Sequence, residues 1–391
     1  MTDFRARKPT ILILAASNEG QSGVTGAAIG TETVVEMLRG DFGIEWIQLG
    51  TNGLAQLGAS SSLAKLASAL AAAFASLTAI VQLALRGFSG PQVDFVYFLP
   101  AASTMGTIRN GMISSVLRAF FPRARLLLHI RNGNYFEASD PWKIMLLRAV
   151  NRRAYRIFVL SHLLLPKDLA RFGVQRDQIC VLPNTIDESL VPASLPRRGV
   201  GPPLRVLYLS NFIESKGYLA LLEAAEILAA DGYSEHFTLD FYGEWLSDEA
   251  RDTAERRASA LRAKGMTANL HDSVRDRAKV QSLFATHHVF CLPTLYPAEA
   301  QPRSILEAMA NGCVILATRY RSIPEQVEHG KTGLMVADQK PGPIANSLLE
   351  LLQSDLEIMS MASREHFMKH FSRNHVREAL LHELTSGRRG P

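Results

Sequence analysis

Two carboxylates, Glu299 and Glu307, stand with seven residues between them in the stretch 291–336, CLPTLYPAEAQPRSILEAMANGCVILATRYRSIPEQVEHGKTGLMV. A buried strand there ends in a proline-rich loop holding Glu299, and a short helix starts near Pro302 and stops before Gly312. The first-turn N–H groups of that helix, near Arg303 and Ser304, carry the positive end of its dipole and make a ready anion site. Carboxylates beside an anion site would repel a bare phosphate. They fit a ligand that also offers hydroxyls, because an ionised carboxylate is a strong acceptor. Glu299 then suits a sugar and Glu307 a ribose, the plainer alternative being that Glu307 is an exposed helix residue. A second group lies in 207–217, LYLSNFIESKG, where a strand ends at Leu209 and Lys216-Gly217 opens the next helix. A lysine at a helix start is a point charge placed for a diphosphate.

Other patterns carry less. The loop after the first strand, SNEGQSGVTGAAIGTET, offers Gly20, Gly23, Gly26 and Gly30 for close backbone approach, without the dinucleotide fingerprint. No G-x-x-x-x-G-K-[ST] phosphate loop occurs. His366 and His370 are one helical turn apart but lack a third ligand, so they read as a surface helix. Cys180, Cys291 and Cys313 are widely spaced, which fits a reducing compartment and argues against a thiolate metal site. Taken alone, His129 reads as a core histidine.

The elements that must position these groups alternate. Ile11–Ala16, Val93–Leu99, Leu126–Ile130 and Arg156–Leu160 are short apolar runs with helical sequence between them. The run 192–203, PASLPRRGVGPP, reads as a linker. A second series follows, with strands at Arg205–Leu209, Thr238–Tyr242, His288–Leu292 and Val314–Ala317 and helices at 217–230, 276–286, 304–311 and 343–353. Buried strands joined by helices form parallel sheets covered on both faces. The expected fold is therefore α/β with two Rossmann-like domains, 1–191 and 204–370, and ligands at the carboxyl ends of the strands in the cleft between them. The tail 371–391, the end of a helical region starting near 355, is expected to pack back on the first domain.

From end to end the chain resembles a retaining glycosyltransferase of family four with the two-domain GT-B fold. The resemblance rests on ordered motifs: Gly26 in the first loop, His129 in LLLHIRNGNYF, Ser161 in RIFVLS and Pro183-Asn184-Thr185-Ile186-Asp187. Ser210-Asn211-x4-Lys216-Gly217, Glu299-x7-Glu307, Pro324-Glu325 and Gly330-Lys331-Thr332-Gly333 follow in the second half. It implies that Lys216 holds a nucleotide diphosphate and Glu307 the ribose hydroxyls. Glu299 would face the donor sugar, with backbone amides at 301–304 on the sugar or distal phosphate. His129 would reach the donor sugar near the reacting centre, and Gly26 would let its loop approach the phosphates. Asn211 stands where an arginine is usual, with Arg303 as its expected substitute. Ala300 and the segment 319–322 replace usual glycines. No cofactor is implied beyond the nucleotide-sugar substrate, and without an Asp-x-Asp motif no divalent metal is expected.

The net charge is +5, but 118–156 holds nine Lys/Arg against Glu137 and Asp140, so that segment is +7 and the remainder −2. The excess implies an anionic partner, here a membrane surface or a lipid-linked acceptor. Nucleic acid is not expected, since no nucleic-acid-binding motif accompanies it. The one uncharged run of membrane length, 66–85, is alanine-rich and reads as a crossover helix. With no secretory signal visible, a cytoplasmic protein docked peripherally on the inner membrane face is expected. The function read from all of this is sugar transfer from a nucleotide-diphosphate sugar to an acceptor hydroxyl in lipid-linked glycan, polysaccharide or glycolipid assembly. An epimerase or phosphorylase on the same fold and a catalytically impaired scaffold are the alternatives.

Overall fold

The apolar runs of the first half assemble into one parallel sheet. In the computed structural model, which describes residues 8–16, 26–49, 62–199 and 201–386, the strands are β1 (Thr10–Ala15), β2 (Gly43–Gln48), β3 (Phe95–Phe98), β4 (Arg125–Ile130), β5 (Arg156–Val159) and β6 (Ile179–Val181). They are ordered β2-β1-β3-β4-β5-β6. The connecting helices are α1 (Gly26–Leu38), α2 (Ser62–Ser89), α3 (Thr104–Phe120) and α4 (Pro141–Asn151). The chain steps one way from β1 to β2 and the other way from β2 to β5, so right-handed crossovers put α1 on one face and α2, α3 and α4 on the other. α2 packs on α3, and α3 on α4. The ends of α3 are both satisfied. Ser103 accepts from the Gly106 N–H at its start, and Arg153 donates to the Ser114, Leu117 and Phe121 carbonyls at its end.

The second half repeats the plan with β7 (Leu204–Leu209), β8 (Phe237–Gly243), β9 (Thr267–Asp272), β10 (Val289–Leu292), β11 (Val314–Thr318) and β12 (Gly333–Val336). All are parallel, in the order β12-β11-β10-β7-β8-β9. Between and after them lie α5 (Tyr218–Ala230), α6 (Asp248–Ala263), α7 (Arg277–Thr286), α8 (Arg303–Ala310), α9 (Ile323–Gln326), α10 (Pro341–Leu352), α11 (Leu356–His370) and α12 (Arg373–Ser386). β10 and β11 are buried along their whole length, which is why they read as continuous apolar runs.

The chain divides into two compact units, one of residues to Pro183 plus those from Arg377, the other Asn184–Val376. Within the first, Arg377 donates to the Met37 carbonyl at 3.1 Å and to Asp41 at 2.6 Å, and Glu383 pairs with Arg156 at 2.9 Å. The second unit keeps α11, which packs on α8. The segment expected as a linker is a strap of this unit. Arg198 donates to the carbonyls of Phe284, Asn311 and Gly312 at 2.7–3.2 Å, closing the C-terminal ends of α7 and α8.

Candidate active site

Strand order locates the site in the second unit. The chain moves outward from β7 to β9 and then from β10 to β12, so the order reverses between β7 and β10. Loops leaving the carboxyl ends of two such strands diverge and open a crevice, the usual ligand position in doubly wound sheets. The loop after β7 carries Lys216, and the loop after β10 carries Glu299 and leads into α8.

These two loops are tied together by backbone geometry. Gly217 adopts φ +89°, and a Cβ there would lie 2.4 Å from the Pro293 carbonyl oxygen. Only glycine allows the turn to close that tightly over the end of β10. The Leu295 N–H donates to the Ser215 carbonyl at 2.7 Å, and Gln339 Nε2 donates to both Ser215 O and Pro293 O at 2.8 and 2.5 Å. The result places Lys216 Nζ 3.1 Å from Glu299 Oε2 and 5.0 Å from the centre of the Tyr296 ring. Lysine and glutamate, singled out 83 residues apart in sequence, are one ion pair.

The entry to α8 is equally constrained. The carbonyls of Ala300, Gln301 and Pro302 accept from Ser322 Oγ, Asn184 Nδ2 and Gln326 Nε2 respectively. Asn184 also donates its own N–H to Gln301 Oε1 at 2.6 Å. Three consecutive carbonyls are thus held by side chains. α8 itself begins at Pro302 without a side-chain cap, while its other end is closed by Arg198 and by Arg364, which donates to the Ala310 carbonyl. A helix capped at its negative end and uncapped at its positive end presents the dipole to an anion. Of the amides expected at 301–304, Pro302 supplies none, leaving those of Gln301, Arg303 and Ser304.

Arg303 and Glu307 lie one turn apart on α8 and are half-buried. Burial pushes the Glu307 carboxyl above its ordinary value, against the pull of Arg303 and Arg277. Burial likewise lowers the Arg303 guanidinium, whose Nη1 and Nη2 have no hydrogen-bond partner among the described residues. The charges acting on Arg303 are Glu307, Arg277 and Asp187, the last two 3.8 Å apart. Asn211 sits half-buried, its carbonyl held by Tyr208 Oη at 3.2 Å and the Ile213 N–H at 2.8 Å. Arg321, in the segment expected from the resemblance to hold glycine, takes φ +52°, the one positive φ of a non-glycine among the described residues. Its guanidinium donates to the Pro297 carbonyl at 2.8 Å.

Residues 203–354 match the family model Glycosyl transferases group 1. Over those residues the second unit is similar to the group 1 glycosyltransferases. The amylovoran biosynthesis glycosyltransferase AmsK of Erwinia amylovora is 25% identical over 239 residues, 57% of this chain and 56% of that protein. The chain spans about half the length of the curated relatives it matches. Among solved structures, Anabaena HepE in complex with UDP superposes with a TM-score of 0.69 at 16% identity, covering 96% of this chain and 100% of that one. A glycosyltransferase from Rickettsia africae gives 0.70 at 16% identity over 98% and 100%. At these identities the likeness is one of fold, two Rossmann-like units in an α/β chain.

In the first unit, the residues expected from the resemblance are placed differently from those between 203 and 354. His129 lies mid-sheet on β4, 1% exposed, with Nδ1 bonded to Tyr97 Oη and its ring edge-on to Tyr97 and Phe158. Burial, with Arg131 nearby, holds its pKa well below the ordinary histidine value. Gly26 opens α1, while Gly20 and Gly23 lie outside the described residues. Arg131, counted only as part of the basic segment, follows β4 and lays its guanidinium against Gly30 of α1. Gln339 and Gln326 lie outside the motifs quoted from the sequence, and Ser322 lies at the end of the segment 319–322 expected to replace glycines. Ser322 and Gln326 flank the Pro324-Glu325 motif, which was the one available signal.

Proposed function

We propose that this protein is a retaining glycosyltransferase that moves a sugar from a nucleotide-diphosphate sugar to an acceptor hydroxyl in polysaccharide, lipid-linked glycan or glycolipid assembly. The observation that carries the reading is the Lys216–Glu299 pair at the β7/β10 reversal, beside the uncapped start of α8. As the bond from the anomeric carbon to the diphosphate breaks, negative charge grows on the leaving oxygen. Lys216 and the amides of Arg303 and Ser304 are set to receive it, the kind of preorganised charge that supplies most of such a rate enhancement. Arg303, with two nitrogens lacking a hydrogen-bond partner among the described residues, would donate to the second phosphate and take up the charge that Asn211 does not supply. Glu307 would accept from the ribose hydroxyls and Glu299 from the sugar once Lys216 turns to phosphate.

Neutralisation by Lys216 and a helix dipole requires no bound cation, in keeping with the lack of an Asp-x-Asp motif, so turnover is expected to survive chelation. The +7 segment 118–156 supports a lipid-linked or membrane-proximal acceptor, reached from the cytoplasmic side. Incubation with UDP-, GDP- and ADP-sugars tests the reading. Diphosphate release that depends on acceptor, with the anomeric configuration kept by NMR, is expected. Interconversion of the donor without release, or dependence on inorganic phosphate, would point instead to the epimerase or phosphorylase alternative.

A further inference from the structure

Helix α2 turns its large apolar side chains away from its own core. Leu70, Phe74, Leu77, Val81, Leu85 and Phe88 are between 49 and 83% exposed. At the α-helical repeat they fall within an arc of about 80°. The opposite side packs inward through Ala79 and Leu83, which are 3 and 1% exposed. Neighbouring helices extend the apolar strip, with Met105 and Met112 exposed on α3 and Trp142 and Met145 exposed on α4. Exposed apolar side chains gathered on three helices that pack on one another mark a surface built to be covered.

The charges on the same helices say what covers it. α2, α3 and α4 contain six Lys/Arg and not one Asp or Glu. Arg86 pairs with Glu45, Lys143 pairs with Asp140 just before α4, and Arg109 is buried, so the cations that reach the surface among the described residues are Arg118 and Arg148, with Arg152 just after α4. The same fold elsewhere tolerates acids freely, as in the DEARDTAERR start of α6. Beside α4 is a cavity of 670 Å³ lined by Ile144, Met145, Arg148, Arg152 and Arg171, apolar and cationic together. An apolar stripe bordered by cations fits an interface whose interior is hydrocarbon and whose surface is anionic. A second copy of the same face would set Arg118, Arg148 and Arg152 against one another, with the neighbouring acid Asp140 already paired to Lys143. α2 is long and apolar enough to cross a bilayer, yet Arg86 fastens it to Glu45 of β2 through two hydrogen bonds of 2.6 and 2.8 Å.

We propose that the α2–α3–α4 face docks on an anionic phospholipid bilayer, with α2 lying in the plane of the headgroup–acyl boundary. The docking goes beyond the transferase reading and stands or falls without it. Flotation with vesicles of phosphatidylcholine alone and of phosphatidylcholine with phosphatidylglycerol tests it. Wild type should float with the anionic vesicles. The triple variant Phe74→Asp, Leu77→Asp, Leu85→Asp should lose about tenfold or more in binding, and Arg118→Glu with Arg152→Glu should lose binding to anionic vesicles. Circular dichroism and cooperative melting should show both folded. Phe74→Trp and Phe88→Trp, about 21 Å apart along the helix axis, should be quenched by brominated lipids at the same shallow depth. Quenching at widely different depths would mean that α2 spans, and a wild-type dimer split by the Asp variants would mean that a second copy covers the face. Either result, no flotation of wild type, or equal flotation of the folded Asp variant would overturn the proposal.

Discussion

Lys216 and Glu299 share one ion pair, so neither can be replaced without altering the other. Lys216→Ala should cost on the order of 10²–10³ in turnover, the usual loss for one leaving-group donor. Combined with Glu299→Gln in a double-mutant cycle on nucleotide affinity, it should show a coupling of about 0.5–3 kcal/mol; strict additivity would mean that the two groups act apart. His129 makes a separate prediction through acid titration. Its buried imidazole stays neutral when folded, and its folded pKa lies below that of the unfolded chain. The stabilising contribution is therefore complete above pH about 6.5 and is lost as pH falls, by up to about 1.4 kcal/mol per pH unit. Replacing both partners, Tyr97→Phe with His129→Leu, should flatten the acid limb of a stability–pH curve measured by urea unfolding. The lysine and both glutamates were legible in sequence because their motifs fix type and spacing. Asn184, Ser322, Gln326 and Gln339 work by side-chain-to-carbonyl bonds across long separations, and such bonds leave no periodic trace.

Turns and helix ends carry the next level of control. Gly217→Ala forces a Cβ against the Pro293 carbonyl at a positive φ, so it should destabilise the second unit by more than about 1 kcal/mol. It should also weaken nucleotide binding by shifting Lys216. Loss of binding without loss of stability would contradict the tight-turn account. Arg198→Ala leaves the Phe284, Asn311 and Gly312 carbonyls without this donor and should cost about 1–3 kcal/mol in thermal unfolding. The strands β1, β3, β10 and β11 were plain in sequence because both faces are buried and the apolar run is unbroken. β2 and β6 escaped because they are only half-buried, and β9 because its TANLHD sequence has little apolar content. The strap 192–203 looked like a linker by its Pro, Gly and Arg content, but composition does not show that a guanidinium has three carbonyls to bind.

Two Rossmann-like units and a C-terminal segment grouped with the first follow from two series of strands and helices, each series legible from its periodicity. Which residues close the chain was less so, since α11 and α12 have similar polar–apolar patterns and only packing assigns one to each unit. Charge divides along the same line, with the acid-free helices α2, α3 and α4 in the first unit and the Lys216–Glu299 pair beside the uncapped start of α8 in the second. Nucleotide recognition should therefore survive changes on α2 and respond sharply to changes after β7. The most direct test is thermal unfolding of wild type and Lys216→Ala against UDP, GDP and ADP, where ligand stabilisation grows as RT ln(1 + [L]/Kd). One diphosphate should raise the Tm of wild type and leave that of a folded Lys216→Ala nearly unmoved. Equal stabilisation of both proteins, or none by any diphosphate, would contradict the placement of the donor at the β7/β10 reversal.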